Sequence, residues 1–231
     1  MKVVSGYMGA ETVHFEAPPP EQVKGEIFRF IDWFNASLGS EDGLLRAAGA
    51  HLKLVTIHPY DDGNGRLSRA LTDMAMAQDE NTLFRSYSLS AEIMKERAAY
   101  YQILEDVQNQ RADLIEWYKW FLSMFINAVK NSQHLIADAF YKAAFWNRIK
   151  TIALNERQRK VIRKMLDSGI RGFEGGMTTR KYVGMTKTSA ATAYRELDDM
   201  NRKGVLRQFG AGRSVRYELN TESLDPGANF D

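Results

Sequence analysis

From Val23 to Ile152 apolar residues recur at three- and four-residue spacing. That period belongs to amphipathic helices, and it restricts this part of the chain to helix packed on helix. Helices are predicted over residues 21–37, 42–57, 66–78, 90–108, 114–131 and 134–152. Val23, Ile27, Phe30, Ile31 and Phe34 mark the inner face of the first, and Leu45, Ala48, Leu52 and Val55 that of the second. Ahead of them, residues 3–17 read as extended, with Thr12-Val13-His14-Phe15 alternating in strand fashion until Pro18-Pro19-Pro20 ends the run.

The texture changes at Asn155. A basic helix is predicted over Glu156–Leu166, a short helix over Thr178–Val183, a turn at Gly184-Met185-Thr186 and a longer helix over Ser189–Arg202. Val205–Phe209 and Arg213–Leu219, separated by Gly210-Ala211-Gly212, read as a hairpin. This is the element order of a winged helix-turn-helix. Residues 156–220 hold 15 Lys/Arg against 7 Asp/Glu, although the whole chain is only +2, so any polyanionic partner belongs to this half. Lys187, Thr188, Ser189 and Thr192 open the would-be recognition helix, Arg195 and Arg202 lie along it, and Arg207, Arg213 and Arg216 sit on the wing. DNA phosphates would meet the basic face and base edges the helix start. Docking to protein is the competing use. The tail from Thr221 is expected to be disordered.

The chain has no cysteine, which excludes disulfides, thiolate zinc sites and cysteine nucleophiles. Its first residues do not read as a secretory leader. No run approaches the ~20 apolar residues of a membrane span. The expected location is the cytoplasm.

Chemistry concentrates in His58-Pro59-Tyr60-Asp61-Asp62-Gly63-Asn64-Gly65-Arg66-Leu67-Ser68-Arg69, between two predicted helices. Gly63, Asn64 and Gly65 all tolerate positive φ just ahead of a helix, so their amides can line a concavity for an anion. Arg66 and Arg69 are three apart on one helix face, with planar donors suited to phosphate oxygens. Asp62 is a hard oxygen ligand of the kind Mg²⁺ uses when it also holds phosphates. An imidazole titrates near ~6.5, so His58 suits proton abstraction near neutrality. No Gly-x-x-x-x-Gly-Lys-Ser/Thr occurs, which excludes a P-loop.

The segment resembles the signature of the Fic family, His-Pro-Phe-x-Asp/Glu-Gly-Asn-Gly-Arg-x-x-Arg, and matches eight of its nine fixed positions. Tyr60 replaces Phe and keeps an aromatic anchor. The resemblance implies a mainly α fold: a Fic-type helical bundle with a β-hairpin flap, followed by a winged-helix domain. The implied boundaries are a catalytic domain at 1–135 (flap 5–17, motif 58–69), a linking helix at 136–154, a winged helix at 155–220 and a tail at 221–231. Gly6, Tyr7, Val13 and Phe15 would belong to a flap that pairs with an extended segment of a target protein.

The implied activity is transfer of AMP from ATP to a Ser, Thr or Tyr hydroxyl of that target. His58 would be the base, Asp62 the Mg²⁺ ligand, and Gly63, Asn64, Gly65, Arg66 and Arg69 the phosphate-binding set. Relatives often restrain the second arginine with a Ser/Thr-x-x-x-Glu-Gly/Asn helix. Glu80-Asn81 and Glu174-Gly175 have Met76 and Ile170 four residues upstream, so neither matches. That brake is expected to be lost or to lie outside this sequence.

His14 and His51 are read as structural. Trp117, Trp120, Phe121 and Phe125 are read as core or homodimer contacts. Tyr100 and Tyr101 fall where relatives pack a helix beside the nucleotide. The reading from a different class is a DNA-binding regulator whose Fic-like half senses or assembles.

Overall fold

A computed structural model of the chain describes residues 2–5, 12–82, 84–169 and 172–221. The chain divides into two compact units, Met1–Ser132 and Gln133–Asp231. The expected tail beyond Thr221, and Gly6 and Tyr7 of the expected flap, lie outside the described residues.

In the first unit β1 (Lys2–Ser5) pairs antiparallel with β2 (Thr12–Glu16), with Val3 opposite Phe15 and a register shift before Val4. The prolines then start a helix: Pro20 occupies the first position of α1 (Pro20–Ala36), where its missing N–H removes no bond. Asp42 caps α2 (Gly43–Ile57) by accepting from the amides of Leu44 and Leu45. Next come α3 (Asn64–Glu80), α4 (Leu89–Lys95), α5 (Arg97–Gln108) and α6 (Leu114–Arg148). The core gathers around α2, whose Ala47, Ala48, Ala50, Leu54 and Ile57 pack with Phe34, Met76, Ile93, Leu104, Trp117 and Phe121. The Trp117 indole donates to Ala48 O at 3.0 Å, so this buried aromatic has its polar atom satisfied.

Two helix boundaries differ from the periodicity. The single helix predicted at 90–108 is broken at Glu96, between α4 and α5. Conversely, α6 runs through Asn131–His134, where polar residues suggest a break. Those side chains bond to neighbouring elements instead: Asn131 donates to Glu92 at 2.8 Å and Ser132 to Ser86 O at 2.7 Å. With no Gly or Pro there, the backbone has no reason to leave the helix.

In the second unit, Asn155 and Gln158 form a capping box at the start of α7 (Glu156–Leu166). Thr178 caps α8 (Thr179–Thr186) and Ser189 caps α9 (Ala190–Arg202). The predicted turn at Gly184–Thr186 is helical, and the chain turns at Lys187, which is left-handed at φ 56°. β3 (Leu206–Phe209) and β4 (Arg216–Leu219) pair antiparallel, and Met177 bridges to Tyr217. Val161, Ile162, Leu197, Met200 and Tyr217 form the core with Phe145 of α6 and Ile149 just beyond it. Glu196, almost buried, accepts from Tyr182 Oη at 2.6 Å, Asn155 Nδ2 at 2.8 Å and the Arg157 guanidinium. These bonds, Arg157 foremost, hold its carboxyl below the usual range.

Candidate active site

α2 delivers His58. Its last turn is anchored by buried Leu54, Val55 and Ile57, and His58 follows in the left-handed conformation, φ 51° and ψ 57°. The His58 amide donates to Leu54 O at 3.1 Å. A non-glycine residue there costs about 1–2 kcal/mol, a strain that the packed helix has to hold. His58 Nδ1 lies 3.2 Å from Val55 O. A carbonyl can only accept, so Nδ1 is the donor here and Nε2 is the nitrogen left to meet a ligand.

The loop to α3 is closed by Asn64, which is 3% exposed. Its Oδ1 accepts from Tyr60 N at 3.1 Å and its Nδ2 donates to Tyr60 O at 2.6 Å. The Asn64 side chain thus serves the loop. The sequence suggests Tyr60 as an aromatic anchor, but the residue is 56% exposed and its backbone makes the contact with Asn64. Gly63 takes φ 91° just before α3, a conformation that side chains resist. The first-turn amides of a helix have no intrahelical acceptor, so this turn presents donors and the positive end of the α3 dipole.

Asp62 is 89% exposed at its side chain, accepts from Gly63 N at 2.6 Å and pairs with Arg66 at 2.8 Å. Arg66 lies over Gly63 and Arg69 over Gly65, where a Cβ would come within 3.5 and 3.6 Å of their guanidinium nitrogens. Among the described residues no three His, Asp or Glu gather as a metal cage. A lone exposed carboxylate still fits Mg²⁺, which is bound by one or two carboxylates plus substrate phosphates.

A cavity of about 790 Å³ opens beside these groups, lined by His14, Phe15, Val55, His58, Gly65 and the α5 residues Arg97, Tyr100, Tyr101, Gln102, Glu105 and Gln108. β2 is fastened at its edge: His14 Nδ1 meets Glu105 at 2.7 Å and Asn109 donates to His14 O at 2.8 Å. Arg111, then His14, keep the Glu105 carboxyl below its ordinary range. Val13 is half exposed on the same strand. Arg97, Gln102, Glu105 and Gln108 went unnoticed in the sequence because they look like an ordinary solvated helix face.

The basic residues singled out in the second unit are partly neutralised. Arg202 pairs with Asp198 at 3.1 Å, and Arg216 with Glu218 at 3.2 Å. Lys187 and Arg195 are exposed, Thr188 is half-buried, and the side chain of Arg213 lies outside the described residues. The exposed face of α9 carries Ala190, Ala191, Tyr194 and Arg195.

An imidazole and the start of α3 at Gly65 share one cavity, and two guanidinium groups lie beside Gly63 and Gly65; these are the parts of a site for a phosphorylated ligand. Residues 4–76 match the Fic/DOC family model, and this segment is a Fic/DOC family domain. The chain is similar to "Protein adenylyltransferase fic-1" of Caenorhabditis briggsae, 43% identical over 63 residues, covering 27% of this chain and 12% of that protein. It is also similar to the "Uridine 5'-monophosphate transferase" of Xanthomonas campestris pv. campestris (strain 8004), 40% identical over 65 residues, 26% of this chain and 12% of that protein. The matched segments are thus a small part of these curated relatives. A crystal structure of a Fic family protein from Desulfovibrio desulfuricans G20 aligns over 93% of this chain and 58% of that one, with TM-score 0.45 and 18% identity.

Proposed function

We propose that this chain is a nucleotidyltransferase that moves AMP from ATP to a hydroxyl of a target protein. The observation that carries the reading is His58, bonded through Nδ1 to Val55 O, on the wall of a cavity that α3 also lines at Gly65, with Arg69 beside Gly65 and Arg66 beside Gly63. His58 Nε2 takes the proton of a Ser, Thr or Tyr hydroxyl. That oxygen bonds to the α-phosphorus, the bond from the α-phosphorus to the bridging oxygen breaks, and pyrophosphate leaves. Arg66, Arg69 and the amide of Gly65 neutralise the phosphate charge, so positioning and electrostatics supply most of the acceleration. Asp62 is the residue that would hold Mg²⁺, which when bound offsets charge on the phosphate oxygens. The strand holding Val13 and Phe15 supplies an edge on which an extended target segment can add.

The uridylyl-transferring relative gives UTP standing as a second donor to be tested beside ATP. For the second unit we read the order α7, α8, α9, β3, β4 as a winged helix, with Lys187 and Arg195 facing DNA. Intact-mass analysis after incubation with Mg-ATP or Mg-UTP decides the first reading. An adenylate-sized increment on the protein or on a lysate protein, lost in His58→Ala, is expected. Equal labelling by His58→Ala refutes His58 as the base.

A further inference from the structure

The buried side of α3 carries a hydrogen-bond chain that the transfer chemistry leaves unused. Ser68 Oγ donates to Asn64 O at 2.9 Å and Thr72 Oγ1 to Ser68 O at 2.8 Å. His51 then links Thr72 to Tyr100, at 3.0 Å through Nδ1 and 2.9 Å through Nε2. Every direction along this chain is forced. A carbonyl only accepts, so the one Thr72 hydroxyl proton points at Ser68 O. Thr72 Oγ1 must therefore accept from His51, and Nδ1 carries the imidazole proton. Nε2 is left as the acceptor for the Tyr100 hydroxyl.

The neighbourhood holds His51 neutral. It is wholly buried, and burial first, then the nearby Arg69 charge, push its pKa down to about 3. Burial pushes the Tyr100 phenol up, and the Arg69 charge opposes that shift. Tyr100 meets His51 edge-on, ring centroids 5.7 Å apart, and also packs on Trp120. Tyr100 is in turn a wall of the cavity that holds His58. The chain ends at Asn64, the residue that closes the loop before α3.

We propose that His51 is a positioning residue for the nucleotide cavity: it pins the Tyr100 hydroxyl inward, fixing the Tyr100 ring as a rigid cavity wall tied to the first turn of α3. A histidine with both nitrogens bonded is a costly core filler unless its two bonds orient something. Here they join α2, α3 and α5, the three helices that line the cavity. The inference rests on the nucleotidyl-transfer reading.

The test measures binding of Mg-ATP and Mg-UTP to the full chain by titration calorimetry, beside transfer kinetics and thermal melts. His51→Leu and Tyr100→Phe are expected to raise Kd and KM about tenfold, as loss of an ordering hydrogen bond does, with kcat changed less than about threefold. His51→Gln, whose Oε1 can accept from Tyr100, is expected to recover most of the affinity. Lower melting temperatures with unchanged Kd and KM overturn the proposal, because the network is then structural only. If His51→Leu fails to fold, Tyr100→Phe, which loses a single oxygen, decides the matter. A wild-type protein that binds nucleotide and transfers nothing refutes the functional reading, while the binding shifts still judge His51. A wild type that binds neither nucleotide overturns both.

Discussion

Asn64 grips the backbone of Tyr60 from both sides, accepting its N–H at 3.1 Å and donating to its carbonyl at 2.6 Å. The loop between the base and the phosphate cradle is therefore shaped before any ligand arrives, which lowers the cost of ordering it on binding. Asn64→Ala removes both bonds and leaves two backbone groups of a half-buried loop to find water. A stability loss of about 1–3 kcal/mol is expected. The transfer rate should fall at least about tenfold, since small misplacements of reacting groups are expensive. Denaturant titration and a labelling time course check the two effects separately, and an unchanged rate would show that the loop holds its shape without this lock.

Trp117 fills the first core and donates to Ala48 O. Trp117→Ala should cost about 3–5 kcal/mol through the cavity it leaves. Trp117→Phe should cost less, with the remaining loss reflecting the lost indole hydrogen bond and the smaller ring. Urea unfolding followed by circular dichroism gives both values.

Glu196 gives the second unit an acid-sensitive joint. Its carboxyl is held low chiefly by Arg157, so the folded state binds its proton less readily than the unfolded chain does. Its contribution to stability is present above the unfolded pKa of about 4.3 and is lost as pH falls through the lower folded value. Thermal melts from neutral to strongly acidic pH should show this loss. Glu196→Gln should lower stability at neutral pH and flatten the acidic slope, and an unaltered slope would remove Glu196 from the account.

If the second unit binds DNA through Lys187 and Arg195, retardation of a short duplex should weaken steeply with salt. Replacing both residues by Ala should reduce the slope of log affinity against log salt by about 2, close to one released counterion per lost phosphate contact. Absence of retardation at low salt would favour protein docking for this unit.

Much of this architecture is legible in the residues, for physical reasons that also explain the gaps. The extents read for α7 and α9 agree closely with the structure, where Asn155 and Ser189 each satisfy an orphan amide at the helix start. The motif from His58 to Arg69 is equally legible, because special φ values and convergent donors leave few residue choices. Polar residues mid-helix misled at Asn131–His134, where their partners are distant in sequence. The α5 wall of the cavity was invisible for the same reason: Arg97, Gln102 and Glu105 become cavity residues only once β2 and α2 are packed against them. His51 reads as structural from its pattern and does lie in the core, but its bonds to Thr72 and Tyr100 form only across the folded helices and leave no mark in the sequence.

α2 combines two duties that many enzymes separate. Nearly every residue from Arg46 to Ile57 is buried, and the very next residue is His58. Substitutions along this helix will be filtered twice in evolution, once for whether the chain folds and once for where the imidazole lands. Diversification of such a protein should therefore proceed by leaving α2 almost untouched and varying the outer surfaces of α1, α5 and the hairpin strands, where a change in partner need not disturb the base.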